Sequence, residues 1–197
     1  MRRRDLLILA TLAGCSSPEA TYYTLADVPG TPQPGGPPTV EVRRIGLAGY
    51  LDRNGIVRAD LGVRLDVAQN DVWGAPLGDM MTRTLAEDLT QRLPGSAVFP
   101  DTGAISAEAD TQVEVDVQRF NAIAGGEVEL LAQVAIARHG SREPIVSRAE
   151  RITEHPAGAS TGDLVAALSR ALGQLADRIA TDLTAVPTPA HRRRGRG

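Results

Sequence analysis

The chain has 197 residues, with 21 basic and 24 acidic side chains and a formal net charge of −3, a length that suits one domain with tails. Removing Arg2, Arg3, Arg4 and Asp5 takes the charge to −5, and setting aside Arg192, Arg193, Arg194 and Arg196 takes it to −9. So acidic a body argues against a nucleic-acid groove, which depends on clustered cations. The single cysteine leaves no intramolecular disulfide, so the fold must rest on its core.

The first segment, Met1 to Cys15, reads MRRRDLLILATLAGC. Three arginines form a cationic start, Leu6 to Ala13 are mostly apolar, and Leu12-Ala13-Gly14 places small residues before the cysteine. The apolar run is far short of the roughly 20 residues that span a bilayer. Residues 1–14 are therefore expected to be a removable signal peptide, and the stretch ending at Cys15 resembles the lipobox of bacterial lipoproteins. That resemblance implies that Cys15 is the lipid attachment site and the first residue of the mature protein. Arg3-Arg4-Asp5-Leu6-Leu7 also faintly resembles a twin-arginine export motif, which leaves the export route open. Ser16 stands where inner-membrane retention signals usually carry aspartate, so the resemblance points to the outer membrane.

Thr21 to Leu25 is β-prone. Pro29 to Pro38 holds five prolines and three glycines and reads as an extended linker or a long surface loop. Val40, Val42, Ile45 and Leu47 then suggest a strand, and Leu61, Val63, Leu65 and Val67 alternate with polar residues or glycine at the period of another. From Pro76 to Leu93 the period changes: Leu77, Met81, Leu85 and Leu89 recur every four residues, with proline at the start and Pro94-Gly95 as a stop. This is an amphipathic helix, and Met80 and Met81 are expected to fill the core. Three more strands are expected around Val113 to Val117, Val128 to Ile136 and Ile145 to Thr153. Gly125-Gly126 and His139-Gly140 supply their turns. The last element starts at Ser160-Thr161-Gly162-Asp163, a capping-box pattern, and carries Leu164, Leu168, Leu172, Leu175, Ile179 and Leu183 on one face.

Half-apolar strands and two helices with single apolar stripes predict an α+β fold: a two-layer domain with a mainly antiparallel or mixed sheet and both helices on one face. The other sheet face, bearing Glu114, Asp116, Gln118 and Glu129, is expected to meet water or a partner. The organisation expected is a signal peptide over 1–14, a lipidated amino terminus with a short strand and Pro/Gly linker over 15–38, a domain over 39–186 and a disordered basic tail over 187–197.

Chemistry-bearing constellations are scarce. His139, His155 and His191 sit by turns or in the tail, without the spacing of a zinc motif. No P-loop or dinucleotide fingerprint occurs. No catalytic, cofactor-binding or metal-ligating residue is assigned, and the chain is expected not to be an enzyme. More informative are Tyr22-Tyr23-Thr24-Leu25, Tyr50-Leu51-Asp52-Arg53, Ile56-Val57-Arg58 and Asp71-Val72-Trp73-Gly74-Ala75-Pro76-Leu77. Trp73 reads first as a cap packing the helix start against the sheet and second as a docking anchor. Tyr50, Asp52 and Arg53, in a polar glycine-flanked loop, suit either a turn held by an aspartate–arginine contact or an interface. Together Tyr50, Asp52, Arg53 and Trp73 are the candidate partner-interface residues.

In this order behind a lipobox, these four motifs resemble the auxiliary lipoproteins of ABC-type lipid transport systems, including the PqiC group, over roughly Tyr22 to Ile179. The chain departs from the family pattern at Gly74-Ala75, where alanine then glutamate is more usual. The resemblance implies a non-catalytic lipoprotein on the periplasmic face of the outer membrane, docking the MCE-domain periplasmic protein of an ABC transporter. Because MCE partners form rings, it also suggests a homo-oligomeric ring. Two alternatives stay open at this point: a pilotin-like assembly lipoprotein, and a lipid carrier with an apolar cavity between helices and sheet.

Overall fold

A computed structural model describes residues 19–60, 62–103 and 108–186. Cys15 with its preceding segment and the basic tail from 187 lie outside the described residues. The described residues form nine strands and two helices: β1 (Thr21–Tyr23), β2 (Thr39–Val42), β3 (Gly46–Leu47), β4 (Gly55–Asp60), β5 (Leu65–Trp73), α1 (Leu77–Arg92), β6 (Ala97–Pro100), β7 (Thr111–Ala122), β8 (Val128–Arg138), β9 (Val146–Glu154) and α2 (Thr161–Ala185).

The strands join in one mixed sheet organised by β7. Along one edge β7 receives β2, β3 and β4 in succession, all parallel, while β8 runs antiparallel along its other edge and β9 pairs with β8. β6 extends the sheet beyond β2, and β5 followed by β1 extends it beyond β4. Both helices contact the sheet and each other. The α+β architecture is the one the sequence pattern implies.

Val113, Val115 and Val117 of β7 face inward opposite Ile136, Val134 and Ala132 of β8. They meet the stripe of α2, whose six expected apolar residues are all buried. Ser160 caps α2 by accepting from the Asp163 backbone N–H at 3.1 Å, and the Asp163 carboxylate accepts in return from the Ser160 backbone. Such a reciprocal cap satisfies two of the amide donors that every helix start leaves open. α1 starts after Pro76, which needs no amide donor there. Its Leu77, Met80, Met81, Leu85 and Leu89 enter the same core.

Two elements differ from the sequence pattern. Leu61 lies outside the described residues; the alternation from Val63 to Val67 starts in the turn before β5 instead of forming one strand, and Val63 is 104% exposed. The true β4 begins at Gly55 and buries Ile56 and Val57. β6, which no periodicity announced, is four residues ending in proline and owes its form to parallel pairing with β2.

Residues 24–38 contain no regular strand or helix, yet they are packed. Leu25 is buried; the Val28 amide donates to Asp88 at 2.7 Å, and the Gln33 amide donates to the Arg92 carbonyl at 2.7 Å. The segment is a strap laid over the helices.

Candidate docking surface

The outward face of the sheet is built by the same alternation that builds the core. Glu114 and Asp116 of β7 point away from the helices, beside Gln133 of β8 and Ser147 of β9, and all four are exposed. Arg43 and Arg44, between β2 and β3, border a shallow depression of about 380 Å³ on this face. Arg43 lies 3.5 Å from Asp101, and Arg44 lies 3.0 Å from Asp79 of α1. Gly46 lies close under Asp116: a Cβ in its place would stand 2.7 Å from Asp116 Oδ1, and the carboxylate would have to swing aside.

Between Val117 and Arg119 the pairing with β8 shifts by one residue. This bulge lets Gln118 and Arg119 both leave the core before Phe120 returns to it. Tyr50 closes over the irregularity, its hydroxyl lying 3.2 Å from the Gln118 carbonyl and 2.9 Å from Asn121 Oδ1. Glu129, expected on the open face, is instead only 2% exposed. It accepts from Arg119 at 2.5 Å on one oxygen and pairs with Arg151 on the other. Two guanidinium groups compensate the buried carboxylate, and that compensation is what lets it sit in a strand interior.

The four interface candidates thus occupy different environments. Trp73 is 6% exposed within the core, its amide donating to Asn54 at 2.8 Å beside β1. Tyr50 is half-buried on the bulge. Asp52 and Arg53 are exposed in the same turn, where the Leu51 amide donates to Ala48 and buries Leu51 as the pivot. Asp52 also borders a second depression, shared with Arg44, Leu47, Pro76 and Gly78. The surface available to a partner on this side is therefore Asp52, Arg53, Arg43, Arg44 and the β7–β9 face.

On the helix side, sequence reasoning missed a set of ionic groups. Arg148 reaches both Glu150 and Asp182, Arg178 reaches Glu150, and Arg170 donates to Glu154 at 2.8 Å, tying β9 to α2. Burial pushes Glu150 up, but the hydrogen bonds from Arg178 and Arg148 outweigh it and hold the carboxyl below the usual range. Asp88 is the opposite case: burial raises it to about 6, against the Val28 amide and the Arg92 charge. Alternation of Arg and Glu at period two in β9 is the one signal that could have found the first set.

Residues 23–180 match the model of a family described as the ABC-type transport auxiliary lipoprotein component. The chain belongs to that family. Within it, the intermembrane transport lipoproteins PqiC of Escherichia coli (strain K12) and of Shigella flexneri are each 28% identical over 181 residues. That alignment covers 89% of this chain and 94% of each relative. The fold recurs in the crystal structure of an uncharacterized protein, with a TM-score of 0.69 at 20% identity over 84% of this chain and 99% of that one. It recurs again in protein XCC0632 from Xanthomonas campestris, with a TM-score of 0.68 at 18% identity over 84% and 95%. Among the described residues, no group of three or more His, Cys, Asp or Glu is placed to hold a metal.

Proposed function

We propose that this auxiliary lipoprotein is a non-catalytic docking subunit of an intermembrane lipid transport system. Cys15 carries the lipid that holds it to the periplasmic face of the outer membrane, and the outward β7–β9 face receives the periplasmic MCE-domain protein of the ABC transporter. The observation that carries the reading is the pairing of family membership over 23–180 with a charged, exposed sheet face backed by a continuous apolar core. The named relatives are intermembrane transport lipoproteins, which supports a place in the cell envelope between two membranes. The ring symmetry of the expected partner supports a homo-oligomer of this chain.

The core favours docking over lipid carriage. Leu85, Leu89, Val117, Phe120, Leu168 and Leu172 are all essentially inaccessible and belong to one cluster, and native interiors packed to this degree hold few voids larger than a water molecule. On this reading lipid is handed on by the partner, and this chain fixes where the partner ends. The test is affinity isolation of the full-length lipoprotein from detergent-solubilised envelope. Recovery of the MCE protein supports the reading, whereas recovery of an outer-membrane channel without it establishes a pilotin-like role instead.

A further inference from the structure

The strap changes what the anchor can do. Ala26 donates to Ser169 Oγ at 3.2 Å, Val28 is held from both sides by Asp88 and Arg92, and Gln33 donates to the Arg92 carbonyl. Gly30 lies so close that a Cβ would stand 2.3 Å from Arg92 Cζ. The proline-rich segment is thereby fixed to the helices and adds no reach. What remains between Cys15 and Thr21, the first residue of β1, is five residues, a span of about 20 Å at full extension.

Among the described residues β1 is the outermost strand on its side of the sheet, paired only with β5. It carries Tyr22, which is 71% exposed while the neighbouring Tyr23 packs toward the core. Tyrosine with an apolar ring and a polar tip is favoured at a membrane–water boundary. We infer that the β1–β5 edge rests on the lipid surface with Tyr22 seated in the headgroup region, so that the sheet projects from the membrane edge-first. This rests on the lipid-anchor reading above. β9 lies five strand spacings from β1, about 24 Å away in a flat sheet, and is therefore the membrane-distal edge. Charge does not supply the orientation: along the β1–β5 edge Glu19, Asp66 and Asp71 outnumber Arg64 of the preceding turn, and the acidic body is repelled by anionic lipid. A short tether and one aromatic ring supply it.

The test uses full-length, lipidated protein in vesicles of phosphatidylethanolamine and phosphatidylglycerol containing a headgroup-nitroxide lipid. Lipid blocks the Cys15 thiol, so a fluorophore on Thr21→Cys or on Ser147→Cys is the sole label. We expect quenching at position 21 to exceed that at 147 by about fivefold or more, insensitive to 0.5 M salt because no surface charge pair sustains it. Tyr22→Ser should reduce that ratio at least about twofold while the protein still floats with the vesicles. Trp73 emission without quencher, sensitive to β1 pairing, verifies that the variant is folded. Flotation with equal quenching at both positions overturns the orientation and leaves the anchor standing. An unchanged ratio in Tyr22→Ser overturns the role of the ring. Failure to float overturns the anchor reading, and this inference with it.

Discussion

Arg92 of α1 and Asp177 of α2 are joined by a charge-assisted hydrogen bond of 2.5 Å, with Arg92 only 1% exposed. The same guanidinium donates to the carbonyls of Val28 at 2.9 Å, Asp88 at 3.0 Å and Gly173 at 3.0 Å. One side chain therefore locks both helices and the strap. Arg92→Met should lower stability by about 3–5 kcal/mol, because it strands several buried acceptors together with Asp88. Arg92→Lys should restore little, since an ammonium cannot reproduce the planar fork. Urea denaturation of the soluble domain measures both.

Asp88 gives a pH dependence of known sign. Its carboxyl is pushed to about 6 when folded, by burial, from a starting value of 3.8. Between those values the native state holds more protons than the unfolded state, so this group's contribution to stability falls as pH rises from 4 to 6. It is fully lost above the folded value. The span corresponds to about 3 kcal/mol. Asp88→Asn keeps an acceptor for the Val28 amide and removes the titration. Stability of the variant relative to the parent should therefore rise by about 2–3 kcal/mol between pH 4 and pH 7. Glu150, held low by Arg178 and Arg148, has the opposite sign and is common to both proteins, so the comparison cancels it.

Gly173 lets the strap lie against α2. A Cβ there would come to 2.7 Å from Val28 Cβ. Alanine in a helix interior ordinarily gains up to about 1 kcal/mol over glycine, but here the clash should dominate at a cost of about 1–3 kcal/mol. Hydrogen exchange at Val28 and Gln33 should accelerate in Gly173→Ala while the β7–β8 amides stay protected.

Tyr50 and its neighbours separate folding from docking. Tyr50→Phe removes the hydroxyl contacts to Gln118 and Asn121 and should cost about 1–2 kcal/mol. Asp52→Ala and Arg53→Ala, at exposed positions, should change stability by no more than about 0.5 kcal/mol. A loss of partner affinity in the latter two with unchanged melting behaviour places the turn in the interface.

What could be read in the chain follows from local periodicity. Ser160 with Asp163, the α2 stripe and the β7 alternation each carry their structure within a few residues, and each stands where expected. The alternation through Val63 to Val67 misled because period two continued through a turn that Gly62, at φ 87°, makes possible. β6 carries no local signal, and the composition of Pro29 to Pro38 announced an extended segment but not its seat on the helices, since both are defined by what they pack against. The same holds for Glu129: an acid at an outward strand position reads as solvated until Arg119 and Arg151, from a bulge and from another strand, close over it. Of the four interface candidates, Trp73 stands where its first reading put it, packed in the core just before α1 and paired with β1.

The most direct measurement of the central claim is photo-crosslinking in intact cells from an unnatural residue at Gln133, on the exposed sheet face, in the native chain and in Cys15→Ala. The account expects an adduct with the MCE-domain protein from the native chain, falling about tenfold or more when the anchor is removed and local concentration is lost. Equal adduct yield in Cys15→Ala, or adducts with an outer-membrane channel and none with the MCE protein, would contradict it.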